Sequence, residues 1–209
     1  GALSFMGIFD NVVDTVKQGG KRRGALMGIM NYNHPEIFDF IKIKLTGKLQ
    51  NFNLSIMVND DFMKMANDPI NKNGLIALNS PKNGIVGYAK ARDIFDLICF
   101  ASWCNGDPAL LFFDRINQDN PFYPEVKIDV VNPCSEVALP PYSACCLGSI
   151  NLSKFVTKGE FDFNWFYDTC QLAMRFLTTM NNISIYPLPE IQKAMNKFDP
   201  VGVGIMGFA

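Results

Sequence analysis

The chain has 209 residues, 48% of them apolar and 19% charged, with 19 basic residues against 20 acidic ones and a net charge of −1. That apolar share excludes a disordered chain, and the balanced charge excludes a duplex-DNA binder, a polyanion binder and an acidic solvating tail. No apolar run approaches the roughly 20 residues of a membrane helix, so the expectation is a soluble cytoplasmic protein with neither a secretory leader nor a membrane partner.

In chain order, Phe5, Ile8, Phe9, Val12, Val13 and Val16 fall on one helical face. Gly19 and Gly20 then supply a helix stop. Gly24 to Met30 is short, apolar and strand-like, and HPEIFDFIKIK predicts a helix with Pro35 in its first turn. Phe52 to Val58 alternates as a strand does, and Asp60 and Asp61 are placed to cap a short helix through Met65. GLIALNSP reads as a short strand or hairpin arm, and Arg92 to Cys104 as a helix with Ile94, Leu97, Ile98 and Ala101 inward. ALLFFDRI, from Ala109, suits a strand buried on both faces. Trp165 to Ile183 predicts the longest helix, with Phe166, Cys170, Ala173, Leu177 and Met180 in line.

Strands alternating with helices predict an α/β protein with a largely parallel sheet. No linker or repeat divides the chain, so residues 1–209 are expected to form one domain without an internal boundary. The closing segment PVGVGIMGFA stays apolar to its last residue, which leads to the expectation of a piece cut from a longer protein. Its glycine pattern is too weak for a dinucleotide-binding turn.

Six cysteines and one histidine, His34, limit the available chemistry. There is no C-x-x-C pair and no close Cys/His set, so no metal site is predicted. His34 sits in an N-H-P turn and reads as a helix-start residue. Cys99, Cys104 and Cys170 lie on helix faces and read as small buried apolar residues.

The most informative stretch is VNPCSEVALPPYSACCLGSINL, Val131 to Leu152, expected to pass as a loop through a packed interior. If extended, it projects Asn132, Cys134 and Glu136 to one side, bringing together an amide, a thiol and a carboxyl. Cys145 and Cys146 follow eleven and twelve residues after Cys134. A second informative stretch, KQGGKRRG, sets basic residues between glycines, as a phosphate-binding loop does; its bland reading is a solvated charge run.

N-P-C-x-E followed by P-Y-x-x-C-x-L-G-S-I-N-L resembles the active-site finger loop of the ribonucleotide reductase large subunit, closest to its adenosylcobalamin-dependent class II. SFMGIFDNVVDTVKQGGKRRGALMGIMNYNHPEIFDFIKIK, FNLSIMVNDDFM, GDPALLFFDRINQDNP and VGVGIMGFA are similar to that class in the same order. The resemblance implies the central portion of a ten-stranded α/β barrel of the ribonucleotide reductase and glycyl-radical type. It also implies thiyl-radical reduction of ribonucleotides to 2′-deoxyribonucleotides, with adenosylcobalamin (vitamin B12) as cofactor.

Residue by residue, Cys134 corresponds to the thiol that becomes a radical and takes the ribose 3′ hydrogen. Glu136 corresponds to the carboxylate that takes the 3′-hydroxyl proton, and Asn132 to the amide on the substrate hydroxyls. Cys145 corresponds to one member of the redox pair. The resemblance implies that the other member lies N-terminal to Gly1, and no cysteine precedes Cys99. Cys146 reads as a structural thiol. Gln18, Gly19, Lys21 and Arg22 correspond to the loop joining a nucleotide effector (ATP or a dNTP) to the substrate base.

The implied partners are the ribonucleotide, the effector, a thioredoxin-like reductant and, for a full-length parent, a second copy. Two rivals remain at this point. One is a class I large subunit whose radical comes from a partner protein. The other is an inactive nucleotide-binding fragment.

Overall fold

The computed structural model describes residues 1–16, 23–68 and 74–208. Two compact units share the chain, Gly1–Ala138 and Leu139–Ala209.

The first unit opens with α1 (Ala2–Thr15), β1 (Leu26–Asn31), α2 (Ile37–Lys42) and β2 (Phe52–Val58). It continues through α3 (Asp60–Asn67), the hairpin arms β3 (Leu75–Ser80) and β4 (Gly84–Lys90), and α4 (Ala91–Asn105). It closes with β5 (Ala109–Phe112), α5 (Phe113–Gln118), β6 (Val130–Val131) and the start of β7 (Ala138–Leu139). Its sheet is parallel in the order β1-β2-β5, with Leu26 opposite Phe52 and Ser55 opposite Ala109. One face of β2 presents Phe52, Leu54, Ile56 and Val58 to a core shared with Ile37, Phe40, Ile41, Phe62, Ile94 and Ile98. Each large side chain fully buried there stabilises the fold by about 1.5–3 kcal/mol.

The predicted elements are present, except that Pro35 stands ahead of α2, whose N-cap is Glu36, and that the expected stop at Gly19 and Gly20 lies outside the described residues, α1 ending at Thr15; four further differences follow. First, α1 forms, but Phe5, Ile8, Phe9, Val12 and Val16 are exposed, and Leu3 and Met6 pack on the core. Asp10 sets that rotation, accepting from the Asn51 backbone N–H at 2.9 Å while its carbonyl accepts from Asn51 Nδ2 at 3.1 Å. Second, the α3 cap is Asn59, whose side chain accepts from the Phe62 N–H at 2.8 Å. Asp60 and Asp61 stand in the first turn, where the helix dipole favours their charge. Third, ALLFFDRI is a strand only over Ala109–Phe112, because its partner β2 ends at Val58; Phe113 then starts a helix. Fourth, Cys99 and Cys104 are exposed and Cys170 is half-buried, since the buried stripe of α4 runs through Ala91, Ile94, Ile98 and Ala101.

The second unit contains β8 (Cys146–Asn151), the short antiparallel pair β9 (Val156–Thr157) and β10 (Glu160–Phe161), α6 (Phe163–Ile183), α7 (Pro189–Phe198) and β11 (Val201–Met206). β11 lies parallel to β8, with Val201 opposite Cys146. Asp162 caps α6 by accepting from the Trp165 N–H at 2.9 Å. The predicted line of α6 turns inward, with Leu177 buried and Phe166, Cys170 and Ala173 half-buried; Met180 stays exposed. Leu177 packs over Gly148 of β8, at an ordinary contact distance of 3.5 Å from where a β-carbon would sit.

The sheets of the described residues hold at most three strands. No helix among those residues is long and apolar enough to cross a membrane.

Candidate active site

The segment carrying Asn132, Cys134 and Glu136 is a turn between two short strands and not an extended strand. The Asn132 carbonyl accepts from the Ser135 N–H at 2.9 Å, closing a four-residue turn with Asn first and Pro133 second, the positions those residues favour. Ser135 then adopts φ = 69°, a left-handed conformation uncommon outside glycine. The loop is closed twice more: the Asn132 N–H donates to the Val137 carbonyl at 3.2 Å, and Asn132 Oδ1 accepts from the Val137 N–H at 3.0 Å.

The period-two argument for a shared side therefore does not apply, and the expected passage through a packed interior is corrected as well. Cys134 and Glu136 are exposed and Asn132 is half-buried, because the turn projects its apex away from the Leu111–Phe113–Val131 cluster at its base. What groups the three residues is the tight loop itself.

The turn is anchored to the sheet. Asn53, on β2, donates from Nδ2 to the Pro133 carbonyl at 2.6 Å. Between the turn and the amino-terminal ends of the strands lies an open cleft of about 270 Å³. Asn53, Ser55, Asn105, Asp107, Cys134 and Ser135 supply its polar lining. Asp107 is fully engaged: Oδ2 is ion-paired with Lys44, Oδ1 accepts from the Leu54 N–H at 3.4 Å, and its own N–H donates to Asn105 Oδ1 at 2.8 Å.

The approach from α5 to the turn is held by two asparagines. Asn117 Nδ2 donates to the Phe113 and Ile128 carbonyls at 2.8 and 2.7 Å, and its Oδ1 accepts from the Ile128 N–H at 2.8 Å. Asn120, buried, donates to the Val126 carbonyl at 2.7 Å. At the opposite, carboxyl ends of the strands two polar side chains make structural bonds. Asn59 caps α3, and Asp114 accepts from the Asp60 N–H at 2.9 Å. That bond holds the Asp114 carboxyl below the usual carboxylate range.

In the second unit Cys145 is half-buried just before β8. Burial first, then the neighbouring Cys146, pushes its thiol pKa up. β11 makes room for it: a β-carbon at Gly202 would meet Leu147 Cδ2 at 2.5 Å and Cys145 Sγ at 3.4 Å. Gln18, Gly19, Lys21 and Arg22 lie outside the described residues. His34 is a turn residue, its Nδ1 accepting from the Glu36 N–H at 3.1 Å ahead of α2. Among the described residues no three His, Cys, Asp or Glu side chains are grouped to hold a metal ion.

Asn53, Ser55 and the Lys44–Asp107 pair were not singled out from the sequence. Their signal was available: Asn53 and Ser55 are polar positions alternating with Phe52, Leu54 and Ile56 on a strand of a parallel sheet.

This mixed α/β chain thus sets a cysteine at the apex of an N-P-C-x-E turn beside a cleft lined mainly by amide and hydroxyl groups. The chain belongs to the ribonucleotide reductase barrel-domain family, whose family model matches residues 1–209. It is 44% identical over 213 residues to a vitamin B12-dependent ribonucleoside-diphosphate reductase of Thermoplasma acidophilum, covering 100% of this chain and 27% of that protein. A protein of the same name from Mycobacterium tuberculosis is 39% identical over 212 residues, covering 100% and 30%. A vitamin B12-dependent ribonucleotide reductase of Rhodopirellula baltica is 30% identical over 230 residues, covering 98% and 22%. The chain thus spans less than a third of the length of these relatives.

Proposed function

We propose that this chain is the central catalytic segment of an adenosylcobalamin-dependent ribonucleotide reductase, acting in the cytoplasm to make 2′-deoxyribonucleotides for DNA synthesis. The observation that carries the reading is the Asn132–Glu136 turn, held on the sheet by Asn53 with an unpaired thiol at its apex. The names of the two relatives at 44% and 39% identity favour a ribonucleoside diphosphate as substrate and vitamin B12 over a radical-generating partner subunit. We further propose that both units are parts of one ten-stranded barrel domain. The parallel strands β1-β2-β5 and β8–β11 would belong to its two parallel halves, and the rest of the barrel would cover the exposed turn.

In this reading the reacting sulfur is Cys134. Its thiol is free, at the apex of the turn and on the lining of the cleft. Adenosylcobalamin, when bound, would supply the hydrogen-atom abstraction that leaves the radical on the Cys134 sulfur. The Cys134 sulfur then forms an S–H bond as the ribose 3′ C–H bond breaks. Glu136 takes the proton of the 3′-hydroxyl as general base. The 2′-hydroxyl leaves as water, while Asn132 Nδ2 holds the sugar through a donated hydrogen bond. Cys145 and a second thiol contributed from outside these 209 residues become a disulfide as they give up two electrons and two protons, one proton leaving with the 2′-hydroxyl as water and the other completing a C–H bond at C2′. Cys134 returns the hydrogen to C3′, and a thioredoxin-like protein reduces the disulfide.

The test is made in the full-length reductase. Cys134→Ser is expected to abolish turnover with adenosylcobalamin while nucleotide binding persists. Retained reduction by that variant would remove Cys134 from the reaction. Activity of the unaltered protein with adenosylcobalamin and no second subunit separates this reading from a class I large subunit.

A further inference from the structure

One polar group at the cleft has no role in the scheme above. Ser55 is 1% exposed, and its Oγ is the one buried side-chain oxygen or nitrogen among the described residues that lacks a hydrogen-bond partner. Leaving a buried hydroxyl unsatisfied is costly, so such a group calls for an explanation.

Its position supplies one. Side chains alternate along a strand, so Ser55 shares a face of β2 with Asn53 and Met57. Asn53 reaches the carbonyl of Pro133 from that face, and Met57 packs there against the cluster of Leu111, Phe113 and Val131. Ser55 therefore sits beneath the turn that bears Cys134, and it lines the same cleft. A serine hydroxyl redirects by a single rotation about χ1 between staggered positions.

The character of the cleft selects what can meet it. Its one charged lining residue, Asp107, is neutralised by Lys44, and its remaining polar lining is amide and hydroxyl. Among the described residues none that lines the cleft is a cation that could hold a phosphate. The lining suits a neutral, hydroxyl-rich group.

We infer that Ser55 is a substrate-binding residue, whose hydroxyl pairs with a hydroxyl of the sugar beside Cys134. This rests on the reading of Cys134 as the sugar-radical thiol. The orphan hydroxyl is then satisfied only in the complex, so the site is built for an occupant.

The experiment uses the full-length reductase, with cytidine diphosphate as probe. Dissociation constants are measured without cofactor, steady-state kinetics with it, and melting temperature without nucleotide. Ser55→Ala removes an unsatisfied group, so its melting temperature is expected to be unchanged or higher. Its Kd and KM are expected to rise about tenfold, the loss of one hydrogen bond at the upper end of the usual range. Ser55→Thr keeps the hydroxyl and is expected to stay within about threefold of the unaltered protein on the same scale.

Unchanged nucleotide affinity in Ser55→Ala overturns the inference. So does a lowered melting temperature with unchanged kinetics, which would assign the hydroxyl to packing or to a buried water. Failure of the underlying reading looks different: the unaltered protein would then reduce no cytidine diphosphate with adenosylcobalamin, whatever Ser55 contributes to affinity.

Discussion

At Asn132 the two halves of one amide are assigned different tasks. Oδ1 is occupied by the Val137 N–H, which fixes the orientation of the group and leaves Nδ2 as the end that can meet a ligand. Nδ2 can therefore donate to a sugar hydroxyl, and Asn132→Asp would replace that donor with an acceptor and add a charge. Cys145 shows a comparable influence of surroundings. Burial favours its neutral thiol, so the folded-state pKa lies above the unfolded one. The stability tied to that thiol is full at low pH and is lost as pH rises through the thiol range. Iodoacetamide labelling read by mass spectrometry is expected to give Cys145 a half-reaction pH above that of a free cysteine in solution. A midpoint at or below that of the free amino acid would contradict the burial argument. In the full-length reductase, Cys145→Ser is expected to permit radical formation at Cys134 but block repeated turnover; sustained turnover would remove it from the redox pair.

At the scale of elements, β8 and β11 show how a strand can serve a side chain it does not carry. Gly202 faces Leu147 across the parallel ladder and leaves space for both Leu147 and Cys145. Gly202→Ala is expected to destabilise the protein by about 1–3 kcal/mol through overpacking and to change the labelling rate of Cys145; equal stability and equal labelling would show that β11 yields easily.

Strand and helix positions were largely legible because periodicity records burial, and β2 emerged at Phe52–Val58 as its alternation predicts. The rotation of α1 was not legible, because it depends on Asp10 meeting Asn51, 41 residues away. The candidate site was legible as a motif and misread as a shape. N-P at the head of Asn132–Ser135 is a turn signal, and it overrides the alternation assumed for an extended chain. Asn53 and Ser55 escaped notice because a polar residue on a strand reads as solvent-facing until the opposing loop is in place.

For the whole molecule, the parallel pairings β1-β2-β5 and β8–β11 matter more than their small size. Parallel strands need crossovers and cover on both faces, and they are characteristic of α/β assemblies. The proposed barrel assigns nucleotide sensing to a stretch far along the chain from the turn. In the full-length reductase, Arg22→Ala is expected to blur effector-directed choice among substrates, measured as the ratio of kcat/KM for two ribonucleotides with and without effector. An unchanged ratio would return Lys21, Arg22 and Arg23 to a solvated run, in keeping with the exposed pairing of Arg23 with Asp14 at 2.9 Å. Coupling of this kind is reciprocal, so substrate would tighten effector binding by the same factor.

The Lys44–Asp107 pair carries a consequence for work in solution. With that carboxylate already matched, docking a sugar beside Cys134 releases no counterions. Any dependence of nucleotide affinity on ionic strength then reports the grip on the phosphates alone, and a phosphate-free nucleoside should bind equally well in dilute buffer and in concentrated salt.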